Sequence, residues 1–318
     1  RGKIIKLHDN IKEWQLAGQY DGGAEIWAYE GGKFGVITTP YNSSTGGAIY
    51  RFNNEKDSKD PRNGKPVIYY RGAAGNPNSV PVYGYRFTKD KNQPDRVVVG
   101  KVEPDFLLSF NTSFSYKDFD FYALIDGRVG GNFYSNTYKY ASSVGTLKSS
   151  LYGRDQENGG WSRKNYLGEV VHDVYPLDGV FDEGATAPLE SEPSKRIDVA
   201  GLTYKEALEK GIRPMPASSY YYYNLGWGMP SELAIQDNTW FALREVTVGY
   251  RVPEALLSKI GINYLRVGLT ARNIGYIVNK LTDGLNPAGI SSNNPLIPMD
   301  IGAVPFSRTF ALNLTVRF

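Results

Sequence analysis

FLLSFNTSFSYKDFDFYALIDGRV, residues 106–129, is the stretch from which the fold is read. One register of Phe106–Tyr116 carries Leu108, Phe110, Phe114 and Tyr116, with Thr112 between them, and the other carries Ser109, Asn111, Ser113 and Ser115. Period-two alternation of this kind predicts a strand with one apolar face. Lys117-Asp118 then separates it from a second run. There Phe119, Phe121, Ala123, Ile125 and Val129 share one face, and Asp120, Asp126 and Arg128 share the other with Tyr122 and Leu124. Two alternating runs joined by two residues predict a β-hairpin.

Working outward, Val246, Val248 and Tyr250 alternate with Glu245, Thr247, Gly249 and Arg251. Pro253–Gly261 follows, with Pro near the start, Glu254 in the first turn, Lys259 near the end and Gly261 just after. Those marks predict one or two helical turns. Leu265, Val267, Leu269 and Ala271 then alternate with Arg266, Gly268, Thr270 and Arg272. At the C-terminus Phe310, Leu312, Leu314, Val316 and Phe318 alternate with Thr309, Ala311, Asn313, Thr315 and Arg317.

The connections between these strands alternate in length. Lys117-Asp118 and Pro253–Gly261 are short, whereas 38–104, 130–239 and the stretch after Ile274 are long and rich in turn residues. Ordinary connections are about 4–6 residues. The long ones read as loops of little periodicity, with one short helix expected at Thr203–Lys210. Short turns at one rim and long loops at the other are the pattern of an antiparallel up-and-down barrel in a membrane. There every backbone polar group must be paired internally, and a closed sheet does so without edges. In that reading the apolar register faces lipid and the polar register, with Ser109, Asn111, Asp126, Arg128, Glu245, Arg251, Arg266, Arg272 and Arg317, faces a wet lumen. The same alternation also suits a soluble sandwich with one face in its core.

Composition narrows the classes. Of 318 residues 41% are hydrophobic and 14% aromatic, too many for a disordered chain. Mean hydropathy is −0.40, and no run approaches the ~20 apolar residues of a spanning helix. A barrel escapes that test, because its strands are apolar only at every second residue. There is no Cys, so thiolate metal sites and Cys nucleophiles are excluded, and His8 and His172 are far apart. A net charge of +3 from 36 basic and 33 acidic residues leaves no nucleic-acid footprint. Asp178, Asp182 and Glu183 lack EF-hand spacing and read as a solvated face. The N-terminus has neither a signal-peptide pattern nor a start Met, which suits a mature product or a fragment.

At four places the residues resemble the SusC/RagA-type TonB-dependent outer-membrane transporters. VEPDFLLSFNTSFSYKDFDFYALIDGRVGGNFYSNT (102–137) is similar to their "PDF… FSYKGFDL… GG… Y" hairpin. WFALREVTVGYRVPEALLSKIGINYLRVGLTARNI (240–274) is similar to "FLRLKNVTLGYTLP… LLKKIGI… LRVYVSGQNL". Gly284-Leu285-Asn286-Pro287 resembles the "GLDPE" loop start, and PFSRTFALNLTVRF (305–318) the terminal "PRTFTLGLNVSF" strand. AEIWAYEGGKFGVITT (24–39) fits a preceding strand more loosely.

The resemblance implies an all-β transmembrane protein. Residues 1–318 would be the C-terminal part of a barrel of about 22 strands with long extracellular loops. The plug and N-terminal barrel strands would lie outside this chain. It implies a bacterial outer-membrane location, a periplasmic C-terminus, and active import of oligosaccharides or peptides. The implied partners are a SusD-like surface lipoprotein, the TonB-ExbB-ExbD complex acting through the missing N-terminal part, the barrel-assembly machinery and lipid. No enzymatic chemistry, cofactor or metal is implied.

Two sets of residues become candidates. Tyr220, Tyr221, Tyr222, Tyr223 and Trp227 form an aromatic run that would serve as a platform for sugar rings or a surface for the lipoprotein, or equally as interfacial or loop packing. Val316 and Phe318 would form the barrel-assembly signal, or simply face lipid. Trp161 and Trp240 read as packing or girdle residues. A soluble extracellular glycan-binding β-protein and a passive outer-membrane porin remain as alternatives.

Overall fold

The structure is a computed structural model. It describes residues 3–20, 24–38, 49–71, 76, 79–84, 97–226, 230–289, 299–300, 302, 305 and 307–318. The chain divides into two units, a sheet unit (Lys101–Phe133 and Gln236–Phe318) and a second unit (Gly2–Gly100 and Tyr134–Ile235).

The sheet unit is built on five antiparallel strands: β1 (Phe106–Tyr116), β2 (Phe119–Val129), β3 (Trp240–Arg251), β4 (Tyr264–Asn279) and β5 (Thr309–Arg317). Their spatial order is their sequence order, so the sheet runs up and down, and β1 and β5 are its edges. The hairpin register follows the alternation: Phe110 faces Ile125, Phe114 faces Phe121 and Tyr116 faces Phe119. The Phe114 and Phe121 rings lie 4.9 Å apart. The helical turns between β3 and β4 are Glu254–Leu257 and Ser258–Ile260, closed by Gly261 at φ +69°. A left-handed residue is a common way to stop a helix, and glycine enters that region without a Cβ penalty.

Strands β3 and β4 are longer than the alternation alone suggests, and a bulge explains the difference. Pairing of β3 shifts between Leu243 and Glu245 against both neighbours. As a result Leu243 (opposite Ile125) and Val246 (opposite Ala123) fall on one face although they are three apart. Opposite Arg244, β4 carries Asn273 at φ +51°. An extra residue of this kind breaks the period-two pattern and increases local twist.

The apolar register is uncovered. Phe110 is 63% exposed, Val248 44%, Leu269 63% and Leu314 61%, so none of them lies in a core of this chain. No helix among the described residues is long and apolar enough to cross a membrane, which says nothing of strands.

The second unit corrects the reading of 38–104 and 130–239 as loops of little structure. Many of their described residues pack around a hydrophobic core that includes Ile68, Val82, Val174, Leu177, Phe181, Tyr204, Ile212, Met215 and Tyr220. Its sheets are small. Val67–Arg71 pairs with Val80–Tyr83 and, in parallel, with Val180–Phe181, while Trp161–Lys164 pairs with Val170–Val174. Elements this short carry little periodicity. The expected helix is present at Tyr204–Glu209, where Thr203 and Glu206 form a reciprocal capping box. A further helix, Asn136–Ser143, is capped by Ser135. The loosely matched early segment forms Ala24–Tyr29 and Val36–Thr38, paired to each other.

Candidate functional site

The polar face of the sheet is wired across strands. Arg266 on β4 grips Asp120 on β2 with two hydrogen bonds, one of them Nε to Oδ1 at 2.9 Å. These strands are not neighbours, and the pair spans β3 at Gly249. A Cβ built on Gly249 would come within 2.2 Å of the Arg266 guanidinium and 2.5 Å of the Asp120 carboxylate. Glycine inside a strand often marks such a close approach. Nearby, Arg272 donates to Glu245 at 3.0 Å. The Thr247 and Thr270 hydroxyls share a hydrogen bond of 2.9 Å, and Asn313 donates to Thr270 at 2.9 Å. Toward the bulge Ser109 donates to Asp126, which also faces Arg244 at 3.5 Å. The Arg244 guanidinium lies 4.9 Å from the Trp240 ring centroid. These bonds form a cross-strand row that touches all five strands.

The aromatic run divides. Tyr220 and Tyr221 are buried, in the last turn of Ala217–Tyr220 and the π-helical turn Tyr221–Gly226. Tyr220 stacks on Tyr175 at 3.6 Å between centroids, and Tyr221 stands edge-on to both rings. The Tyr221 hydroxyl donates to the Ser149 carbonyl at 2.7 Å. Burial raises the Tyr220, Tyr175 and Tyr83 phenols and pushes Tyr221 up to about 12. Asn224 is fully buried; its Oδ1 accepts from the Tyr83 amide at 3.1 Å, while its Nδ2 has no partner among the described residues. Tyr222 is exposed, and Tyr223 meets it edge-on at 4.9 Å with Arg71 over its ring at 5.4 Å. Trp227 lies outside the described residues. Tyr175, Tyr152 and Tyr83 join this cluster from distant positions, and sequence spacing offers no signal for them.

Val316 pairs with Leu265 on the apolar face, and both Val316 and Phe318 are exposed. Trp240 meets Tyr276 at 6.0 Å, and Trp161 stacks on Tyr204 at 6.3 Å. Asp178 pairs with Lys65 at 3.0 Å. Among the described residues no group of three or more His, Asp or Glu is placed to hold a metal.

Comparison with known proteins adds sequence likeness. TonB-dependent receptor P3 of Formosa agariphila is 25% identical over 232 residues, 70% of this chain. The chain resembles a TonB-dependent receptor. It spans only 17% of that receptor's length. No family model matches. Among solved structures, the RagAB peptide importer in its "open-open" state aligns over 99% of this chain and 25% of that chain, at 13% identity and a TM-score of 0.47. A RagAB peptide transporter structure aligns over 99% and 26%, at 14% identity and a TM-score of 0.49.

Proposed function

We propose that this chain is the C-terminal part of an outer-membrane TonB-dependent transporter that imports an oligosaccharide or a peptide. The observation that carries the proposal is the two-faced sheet, with a bare row of Phe, Leu and Val on one side and a hydrogen-bonded polar row on the other. In water such a bare face is a liability, whereas in a bilayer it is solvated by acyl chains. The polar row then lines the lumen. The two open edges of the sheet, β1 and β5, continue into the rest of a closed barrel, since unpaired strand edges do not persist in lipid. Plug and TonB-binding parts would lie outside this chain, with TonB-ExbB-ExbD supplying the pull and a SusD-like lipoprotein covering the outer mouth.

Within this reading Tyr222 and Tyr223, with Trp227, contact cargo, while Tyr220 and Tyr221 hold that segment to its core. Val316 and Phe318 present the strand recognised during barrel assembly, and the C-terminus lies in the periplasm. Deleting Phe318 is expected to lower outer-membrane yield, and unchanged yield refutes that role.

These 318 residues contain no Cys, so once any cysteine elsewhere in the protein is replaced, single labels test the membrane reading directly. Single cysteines replacing Phe110, Leu269 and Leu314, and others replacing Asn111 and Asn313, are spin-labelled in the full-length protein in bilayers. Labels on the first set should be relaxed by oxygen and labels on the second by a water-soluble nickel chelate. Equal access of the chelate to both sets overturns the proposal. Uptake that persists after tonB deletion favours a passive pore.

A further inference from the structure

At the short-turn end of the sheet two arginines of the polar register share one tyrosine. The guanidinium carbons of Arg251 on β3 and Arg317 on β5 lie 5.9 and 5.3 Å from the ring centroid of Tyr264 on β4. Tyr264 stands directly opposite Arg317 in the β4–β5 ladder. Among the described residues no carboxylate forms an ion pair with either arginine, Asp118 and Glu254 in the neighbouring turns included, and Asp120 is already held by Arg266. We propose that a carboxylate on the strand joining the free edge of β5 pairs with Arg317 and completes the ion-pair row at that seam. This inference rests on the barrel reading above, in which β5 pairs with a strand outside these 318 residues.

The other arginines of the face set the pattern. Arg272 on β4 pairs at 3.0 Å with Glu245, which stands opposite it on β3. Arg266 on β4 reaches Asp120 on β2, so an acid two strands away is within range. Arg244 on β3 has both a ring and an acid, with Trp240 at 4.9 Å and Asp126 on β2 at 3.5 Å. Each of these acids lies on the β1 side of its arginine. On that side Arg317 meets a phenol and then a second cation, so the flank left for an acid is the open edge.

The stacking itself leaves the site open to such a partner. A ring takes the flat face of a guanidinium, and the forked N–H edge remains for a planar, bidentate acceptor. A lipid phosphate fits less well, because Arg317 belongs to the register opposite the exposed Leu314 and Val316.

The test uses the full-length protein in lipid vesicles. A photo-crosslinking amino acid at Thr315, two residues from Arg317 in the same register, captures the facing strand, which mass spectrometry identifies. That strand should carry Asp or Glu within two residues of the position facing Arg317. Arg317→Gln should speed urea unfolding about tenfold. Neutralising the captured acid should do the same, and the double variant should unfold no faster than either single one. Arg317→Lys, which keeps the charge without the fork, should fall between. Capture of a strand with no acid there, or single effects that add in the double variant, overturns the inference and leaves the barrel standing. Capture of no strand at the β5 edge overturns the inference together with the barrel reading.

Discussion

The five-stranded sheet and the second unit use the same apolar side chains in opposite ways. In the second unit Phe181 is fully buried and stacks on Tyr70 at 6.1 Å, with Ile68, Leu177 and Met215 also buried in that core. In the sheet Phe110, Leu312 and Phe310 point away from the chain, with Phe310 78% exposed. Apolar surface leaves water wherever it finds another apolar medium. For the second unit that medium is its own interior. For the sheet we propose the acyl chains of a bilayer. The contrast teaches that burial within one chain does not measure a residue's structural importance until its solvent is known.

The largest effect should come from emptying the conventional core. Phe181→Ala should cost about 3–5 kcal/mol, read as a collapse of hydrogen-exchange protection in the second unit of the full-length protein. Almost as large is a charge on the bare face. Leu269→Arg should cost about 2–4 kcal/mol near mid-bilayer, measured by urea unfolding in lipid vesicles. Asn111→Arg, on the other face of the sheet, should stay within about 0.5 kcal/mol. Equal costs for these two arginines would break the comparison.

A smaller effect is expected at Thr203. Its hydroxyl caps Tyr204–Glu209, and Thr203→Ala should cost about 1 kcal/mol, seen as faster local exchange with the sheet unaffected. Acid sharpens the same division. Asp60 accepts from both Arg62 and Asn54, and these hydrogen bonds, with the Arg62 charge, hold its carboxyl well below the usual range. Glu206 is lowered by its hydrogen bonds from Thr203. Because both acids sit lower in the folded state than in the unfolded chain, their contribution is complete above about pH 4–5 and is lost as pH falls below it. Limited proteolysis across pH 6 to 3 should open the segment around Asn54–Lys65 in the wild type. Asp60→Asn should flatten that dependence.

The sheet was legible from sequence because alternation is a local signal. β1 and β2 follow it residue for residue, and the turn between β3 and β4 follows its Pro and Gly. Legibility stopped at Arg244 and Asn273, where a bulge changes which residues share a face. It failed for most of the second unit, whose strands run two to five residues around its main core and pair over long separations, as Val67 does with Val180. The aromatic run was visible as Tyr220–Tyr223, but its division into buried and exposed members was not. That division comes from a helical turn and from Tyr175, far away in sequence.

The Asp120–Arg266 bridge over Gly249 has a mechanical consequence. Sliding one strand past its neighbour by two residues keeps every greasy group on its own side, so alternation by itself does not resist such a displacement. A clamp joining strands that are not adjacent does resist it, because β2 or β4 cannot shift alone without tearing the guanidinium from its carboxylate, and a two-residue slide of β3 would drive Thr247 or Arg251 into the space under the bridge. In the importer wall proposed above, such a fastening would hold the strands in place as cargo is drawn past, and the missing side chain at Gly249 leaves room for it.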